Sequence, residues 1–199
     1  MKENLTRRDF VKVAGAAALT FASMPATAFA AEDMAIATEA PVVAADAGDA
    51  TYTVTANIYV AASDSPIRKN AYVTNDGNPP ADKPTSPVSN NATLVVKSSG
   101  KRLLTVPVVN TTFGVISFAS SSTDGSVTVT ETSTTDWGTK WGGDLTRIDS
   151  ITFDVTNFTT DGTTIATFSP CAEFADFLLY VGSKSWDLHL VADCSAASA

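Results

Sequence analysis

The sequence predicts an all-β protein: an immunoglobulin-like antiparallel β-sandwich of about eight strands that follows an N-terminal signal and a flexible tether. Three observations predict it. From residue 51 onward the chain runs in short stretches rich in Thr, Val, Ile and Phe, which are typical of strands. Gly, Pro, Asn, Asp and Ser separate these stretches, as expected for turns. No segment there has the 3.6-residue period of an amphipathic helix.

Composition limits the function as well as the fold. The chain has 199 residues, of which 44% are hydrophobic and 17% charged, and this suits one globular domain. Its 13 basic and 21 acidic residues give a net charge of −8, the wrong sign for phosphate backbones or anionic membranes. Nucleic acid is therefore not expected as a partner. With one His, two Cys and three Met, the chain offers few metal ligands, and we predict no metal site and no cofactor.

The N-terminus has the order of a secretory signal. Arg7 and Arg8 are followed by Phe10, then by an apolar run over 13–24 and a small-residue cleavage site that ends at Ala30. The paired arginines resemble the bacterial twin-arginine signal, which implies the twin-arginine translocase as the export partner. The apolar run is well short of the roughly 20 residues that span a bilayer. We therefore expect cleavage after Ala30, removal of residues 1–30 and no stable membrane anchor.

The next segment, residues 31–50, is predicted to be a flexible tether. It is rich in Ala and acidic residues and contains no aromatic residue, a composition that cannot bury enough apolar surface to fold. The sandwich domain is then assigned to residues 51–194, and residues 195–199 form a short tail.

Strand predictions follow from alternation and turn residues. Residues 51–61 alternate apolar and polar side chains, which indicates a strand with one buried face. Residues 63–91 contain five prolines and are predicted to be a long loop, because proline removes a backbone donor. The clearest hairpin joins 92–97 to 102–110 through a Ser-Ser-Gly turn. Further strands are expected at 113–118, 127–131, 148–155, 163–168, 177–181 and 186–192, with a turn at 182–185 between the last two.

The two cysteines are predicted to form a disulfide. Cys171 and Cys194 are the only cysteines of a chain with an export signal, and in exported proteins an oxidised pair is the default. Such a bridge would stabilise the fold by roughly 3 kcal/mol if its geometry is unstrained. Free thiols, or a metal or redox role, are the alternatives.

The single histidine does not indicate an active site. Alternation places His189 on the same side of its strand as Asp187 and Val191, away from the core. A surface residue is one interpretation, and a ligand or base is the other. The chain has no Gly-x-Ser-x-Gly elbow, so a hydrolase would depend on paired carboxylates whose separation the sequence does not show. We predict that the protein is not an enzyme.

A Gly-rich stretch over 136–144 carries Trp137 and Trp141. Large amphipathic rings on a loop suit contact with a sugar, haem or protein. The same residues would also suit a plug that closes one end of the sandwich, so both interpretations stay open.

The strand pattern resembles the NEAT domain, an immunoglobulin-like haem-binding module of Gram-positive surface proteins. The resemblance covers an opening strand at Tyr52-Thr53-Val54, a lip segment that ends in Tyr72, the hairpin over 94–106 and a closing strand at 186–193. It implies a secreted or envelope-associated sandwich. Similar secreted chains occur in gut Actinobacteria.

The haem-ligand motif of that family is not matched. The family's iron ligand is the first Tyr of a Tyr-x-x-x-Tyr motif on the last hairpin. Matching its second Tyr to Trp186 puts Gly182 at the ligand position. Tyr180 is close enough that a shift of register would bring it into the pocket, and His189 is more distant.

These observations lead to one functional prediction and two alternatives. We predict an exported, non-enzymatic binding module of the cell envelope or extracellular space. Its partner would be a surface glycan or protein, bound through Trp137, Trp141, Tyr72 and Tyr180. A haem or small-ligand carrier is the first alternative, and a hydrolase with paired carboxylates is the second.

Overall fold

The structure, a computed structural model, describes residues 48–76, 85–138, 145–177 and 180–198. At 137–138, 145, 174–177 and 180–181 it describes the backbone alone. All of these residues belong to the unit Ala44–Ala199. The signal residues Arg7, Arg8 and Phe10 and the cleavage site at Ala30 lie outside the described residues, as does the tether up to residue 47.

The described chain is built from nine strands and one short 3₁₀ turn. In chain order these are β1 Ala50–Val60, β2 Ala71–Tyr72, β3 Ala92–Val96, β4 Arg102–Pro107, β5 Phe113–Ser117, β6 Thr128–Gly138, β7 Leu145–Asp154, β8 Thr163–Phe177, β9 Tyr180–Asp193 and the 3₁₀ turn Ser195–Ser198. Every described strand pair is antiparallel. The predicted all-β sandwich is therefore confirmed.

The strands follow the order β5-β8-β9-β1-β3-β4-β7-β6, and β2 pairs with β1 on the edge opposite to β9. Strand β1 belongs to both layers. Its first half, Ala50 to Val54, pairs with β3 in the layer that we call sheet A. Its second half, Thr55 to Val60, pairs with β9 in the layer that we call sheet B. One long strand thus turns the curled sheet from one layer into the other.

The core lies between the layers, and alternation explains its composition. Val54, Ala56, Ile58 and Val60 are fully buried, so β1 points its even-numbered side chains inward as the sequence predicts. Aromatic rings from both sheets meet there: the centroids of Phe153 in β7 and Phe168 in β8 lie 5.3 Å apart. Packing of this kind supplies most of the stability of such a domain.

Buried asparagines fix the described parts of the predicted long loop. The Asn57 amide donates to the Val88 carbonyl at 2.9 Å, and its oxygen accepts from the Thr74 hydroxyl at 2.7 Å. The Asn110 amide donates to the Asn75 carbonyl at 2.6 Å. These amides satisfy backbone groups that would otherwise be buried without partners. As a result, the segment that carries β2 is held firmly against β1.

The domain begins slightly before the predicted boundary at residue 51. Ala50 already pairs with Val96. The Asp49 carboxylate accepts from the Lys97 ammonium at 2.8 Å and from the Ser98 amide at 3.2 Å. The end of the predicted tether is thus part of the folded sheet.

The predicted last hairpin is wrong. Gly182 to Ser185 do not form a turn; they lie within β9 and pair with Ala175 to Ala172 of β8. Gly182 has a φ of +122°, a conformation that glycine adopts far more readily than other residues. Pairing with β8 supplies the backbone hydrogen bonds, so tertiary context overrides the weak strand propensity of this Gly-Ser-rich stretch.

The predicted disulfide is also wrong, because Cys171 and Cys194 are separate, buried thiols. The register of the β8–β9 pair explains why. Cys171 lies opposite Trp186. Trp186 precedes Cys194 by eight positions, which corresponds to about 26 Å of extended chain. A disulfide needs Cα atoms within about 7 Å. Burial raises the pKa of Cys171 to about 11, so this thiol is held in its unreactive form.

Candidate functional site

Three rows of side chains cross the solvent side of sheet B, and we call this surface the outer face. The first row is Tyr72, Tyr59, His189 and Thr167; the second is Asn57, Val191 and Ile165; the third is Thr55, Asp193 and Thr163. The four strands β2, β1, β9 and β8 contribute to it in that order. With strands about 4.8 Å apart, the surface measures roughly 14 Å in each direction.

Strand parity places these residues together. In antiparallel pairs, directly opposite residues point to the same side of the sheet. Tyr59 is opposite Tyr72 on one side and His189 on the other, and His189 is opposite Thr167. The flanking residues Leu188 and Leu190 are fully buried, so His189 points outward, which confirms the sequence prediction.

The first row is a packed aromatic cluster. The ring centroids of Tyr59 and Tyr72 lie 5.2 Å apart with a 41° tilt, and those of Tyr59 and His189 lie 5.2 Å apart with a 36° tilt. His189 Nδ1 and the Thr167 hydroxyl form a hydrogen bond of 2.9 Å. Partial burial, and then the neighbouring Tyr72 phenol, raise the pKa of Tyr59. The rings are therefore held in place before any ligand arrives.

A groove of about 320 Å³ runs beside this cluster. Sheet B lines it through Thr55 and Asn57 of β1, Val191 and Asp193 of β9 and Thr163 of β8. Tyr72 and Pro87 complete the lining. The groove thus combines an aromatic ring and a proline with polar groups of the sheet.

Ile165 extends the apolar part of the outer face. It is 57% exposed, the most exposed large hydrophobic residue in the described structure, and it lies opposite Val191. A single exposed isoleucine is ordinary. Here it continues a surface that already carries two tyrosines, and contiguous exposed apolar surface marks contact sites.

The outer face carries little charge, and that charge is negative. Asp193 is the one charged residue among its three rows, which contain no lysine or arginine. Hydrogen bonds from the Ser195 backbone and side chain lower the pKa of Asp193, so it is ionised at neutral pH. An anionic ligand would find no counter-charge in these rows.

The structure brings one of the four predicted binding residues to this face. Tyr72 forms the end of the aromatic row and part of the lining of the groove. Tyr180 is the first residue of β9 and pairs with Phe177. It is nine positions from His189, which corresponds to about 30 Å of strand. The side chain of Tyr180 is not described. The backbone of Trp137 lies in β6, the last strand of sheet A, and Trp141 lies outside the described residues. Tyr72 and Tyr180 therefore do not share a site.

Sequence reasoning missed Tyr59 and Ile165. The signal for Tyr59 was present, since the alternation that buries Ile58 and Val60 turns Tyr59 toward solvent. Its neighbours Tyr72 and His189 come from segments far along the chain, so the cluster itself could not be recognised before strand pairing was known.

A second feature that the sequence did not reveal is a buried acid. Glu173 of β8 is fully buried, lies opposite Val115 of β5, and neither of its carboxylate oxygens has a hydrogen-bond partner in the described structure. Burial raises the pKa of Glu173 to about 8, so the side chain is protonated at neutral pH. A raised carboxyl pKa often marks a catalytic group, but this one is closed off from solvent.

A larger cleft of about 440 Å³ lies beside the β3–β4 turn and the end of β7. Its charged groups already pair with each other: the Lys101 ammonium lies 3.3 Å from the Asp154 carboxylate. Hydroxyl and amide groups make up most of the remaining lining, and no aromatic residue contributes. This cleft offers hydration sites but no apolar surface to drive binding.

Strand addition at a sheet edge is disfavoured. Both terminal strands of the described order are irregular: β6 has three register shifts against β7, at Val129/Glu131, Ser133/Thr134 and Asp136/Gly138, and β5 has one against β8, at Val115/Ser117. Such irregularities twist an edge and interrupt its row of free backbone groups. A partner is therefore expected on a face of the sandwich.

Among the described residues, no helix is long and apolar enough to cross a bilayer, and no group of three metal-ligating side chains comes together. Comparison with known proteins gives no family model, no curated protein and no solved structure that matches the chain.

Proposed function

We propose that this protein is an exported, non-enzymatic binding module of the bacterial envelope or extracellular space, and that its ligand binds the outer face. The observation that carries the proposal is the aromatic row of Tyr72, Tyr59 and His189 beside the exposed Ile165. Export is inferred from the sequence pattern around Arg7 and Arg8, for which a folded, secreted domain is a suitable passenger.

The aromatic row is not needed to complete the core. Sheet B already buries the inward residues of β1, β8 and β9 against sheet A. Rings that remain half-exposed on the opposite side gain little for folding, yet they offer large, amphipathic contact area. Because regular strands hold them, a ligand would pay little entropy to order them.

The same geometry speaks against catalysis at this face. His189 is the only histidine of the chain, and its described polar partner is the Thr167 hydroxyl. Asp193 is the only acid of the outer face, and it lies four positions along β9 from His189, about 13 Å. A base and its orienting carboxylate must be within hydrogen-bond reach, so these two groups do not form such a pair.

Binding at the outer face can be tested with paired variants. We expect Ile165→Ser and Tyr72→Ala to weaken binding of the ligand while the thermal transition is retained. Val109→Ser is the matched control, because Val109 is also an exposed large hydrophobic residue, at 38%, but lies outside the outer face. Equal binding by all three variants would contradict the proposal.

Export can be tested separately. We expect Arg7→Lys with Arg8→Lys to leave the protein inside the cell, whereas Lys2→Arg, which keeps the paired arginines, should be exported normally. Fractionation followed by immunoblotting measures both. Normal export of the double variant would contradict the twin-arginine assignment without bearing on the binding face.

A further inference from the structure

The groove beside the aromatic row has a lining of two chemical kinds. The Tyr72 ring and Pro87 give apolar surface. Thr55, Thr163 and Asp193 contribute two hydroxyls and a carboxylate. A ligand that fits must therefore have an apolar flank and, on its other edges, groups that both donate and accept hydrogen bonds.

Asn57 does not add to this set, because its amide is already used. It donates to the Val88 carbonyl and accepts from the Thr74 hydroxyl and the Val88 amide. Two other groups are used in part: the Thr55 hydroxyl oxygen accepts from the Asn90 amide at 3.0 Å, and Asp193 Oδ1 accepts from the Ser195 amide at 3.0 Å. The groups that remain for a ligand are the Thr55 hydroxyl as a donor, the Thr163 hydroxyl and the second carboxylate oxygen of Asp193. Such groups match hydroxyl-rich molecules, whose O–H groups can donate to Asp193 and exchange hydrogen bonds with Thr55 and Thr163.

The charge of the outer face limits the class of ligand further. The three rows of the outer face contain one carboxylate and no cation, and the whole chain has a net charge of −8. Sulfated or uronic-acid-rich polymers would be repelled. Charge therefore excludes polyanions, and among carbohydrates it favours neutral chains.

We propose that this groove binds an uncharged carbohydrate chain, with the C–H face of one sugar ring against Tyr72 and its hydroxyls toward Thr55, Thr163 and Asp193. This inference rests on the proposed function and names its ligand class. A groove of about 320 Å³ is at the small end of ligand sites, which span roughly 300–1,000 Å³. It accommodates a short stretch of a longer chain, with Val191 and Ile165 continuing the contact surface.

A proline-rich peptide is the main competitor, since a lining of aromatic and proline residues also suits polyproline segments. Proline has no N–H group. Such a peptide would cover Asp193 and the two threonine hydroxyls without giving the carboxylate a donor, and unpaired buried polar groups weaken binding. The polar part of the lining therefore favours carbohydrate.

The single histidine provides a site-specific probe. His189 is the only histidine in the chain and lies in ring contact with Tyr59, so its imidazole proton signals report on this face alone. The experiment titrates the untagged full chain with cellohexaose, xylohexaose, mannohexaose and chitohexaose. Heparin and a deca-proline peptide serve as the anionic and peptide probes.

We expect at least one neutral hexasaccharide to shift the His189 signals with saturation, and heparin and the peptide to leave them unchanged. Tyr72→Phe, which keeps the ring, should bind within about twofold of the natural protein, whereas Tyr72→Ala should lose at least about tenfold. Thr163→Val, which replaces the hydroxyl by a methyl group, should lose several-fold. Circular dichroism and the thermal midpoint show that each variant is folded.

The alternative results separate the two proposals. Saturable shifts with the peptide or heparin but with none of the sugars would overturn the carbohydrate assignment and retain the binding face. Sugar binding that Tyr72→Ala leaves unchanged would place the sugar elsewhere and overturn the assignment too. Both proposals fail if no probe shifts the His189 signals and a sugar or peptide nevertheless binds the protein, with an affinity that substitutions of Tyr72, Ile165 and Thr163 leave unchanged.

Discussion

The two sides of sheet B are made from the same strands but have different chemistry. Toward sheet A, β1 and β9 present aliphatic side chains that are fully buried, such as Ile58 and Leu190. Toward solvent, the adjacent positions present Tyr59 and His189, which are half-buried and packed as rings. A shift of one residue along a strand changes the side. The core and the face proposed to bind a ligand are therefore built from alternate residues of the same segments.

The strongest test of this division compares neighbours in β9. Leu190→Ala removes a fully buried side chain, and we expect it to lower the free energy of unfolding by about 2–5 kcal/mol. His189→Ala changes the outer face, and we expect a loss below about 1 kcal/mol. Urea denaturation measures both. A similar loss for the two variants would show that the aromatic row is part of the core.

A second test uses Glu173, the acid on the inner side of sheet B. Its carboxyl has an ordinary pKa of 4.5 when exposed and about 8 in the fold. Between pH 4.5 and pH 8 the carboxyl of Glu173 loses its proton in the unfolded chain and keeps it in the folded chain. The contribution of Glu173 therefore lowers stability as pH rises from 4.5 to 8, by at most about 1.4 kcal/mol per pH unit, and levels off above pH 8.

Glu173→Gln should remove that slope and stabilise the protein at pH 8 relative to the natural chain. Unfolding free energies at pH 5, 6, 7 and 8 provide the measurement. Glu131→Gln, on exposed β6, is the matched control and should keep the slope. If the natural chain and Glu173→Gln run parallel from pH 5 to pH 8, Glu173 is ionised in the fold.

A third test concerns the inner side of β8, where Cys171 is buried. We expect the folded protein to have two free thiols that iodoacetamide modifies only after unfolding, since burial raises the pKa of both Cys171 and Cys194. Dithiothreitol should leave the thermal midpoint unchanged. A mass lower by two hydrogens in non-reducing mass spectrometry would show that the disulfide forms and would contradict this prediction.

The smallest expected effect is on the free energy of unfolding when an exposed hydrophobic side chain is replaced in the absence of ligand. Ile165→Ser and Val109→Ser should each change the unfolding free energy by within about 0.5 kcal/mol, because both side chains are exposed. A much larger loss for Ile165→Ser would mean that Ile165 stabilises the fold, and would weaken its assignment to binding.

Local pattern was enough to predict the fold class and most strands. Alternation over 51–61 predicted β1, and the Ser-Ser-Gly turn predicted the β3–β4 hairpin, because both signals depend only on neighbouring residues. The stretch Gly182 to Ser185 has a turn-like composition, yet it lies in β9. Its conformation is set by pairing with β8, which the local composition does not show.

The candidate site was predictable only in part, for the same reason. Tyr72 was predicted to be a binding residue, but its neighbours Tyr59 and His189 reach it through the pairing of β1 with β2 and β9. Register also explains why the disulfide prediction failed: two cysteines in a chain with an export signal suggest a bridge, but strand pairing places Cys171 opposite Trp186 and far from Cys194. Relations between strands are not contained in any single segment.

The central claim is that the outer face of sheet B is the ligand surface, and backbone amide NMR tests it most directly. With the hexasaccharide that binds most tightly added to saturation, the largest amide shifts should fall at 55–59, 71–72, 163–167 and 189–193. Shifts concentrated at 98–101 and 125–128, around the polar cleft beside the β3–β4 turn, would contradict the claim.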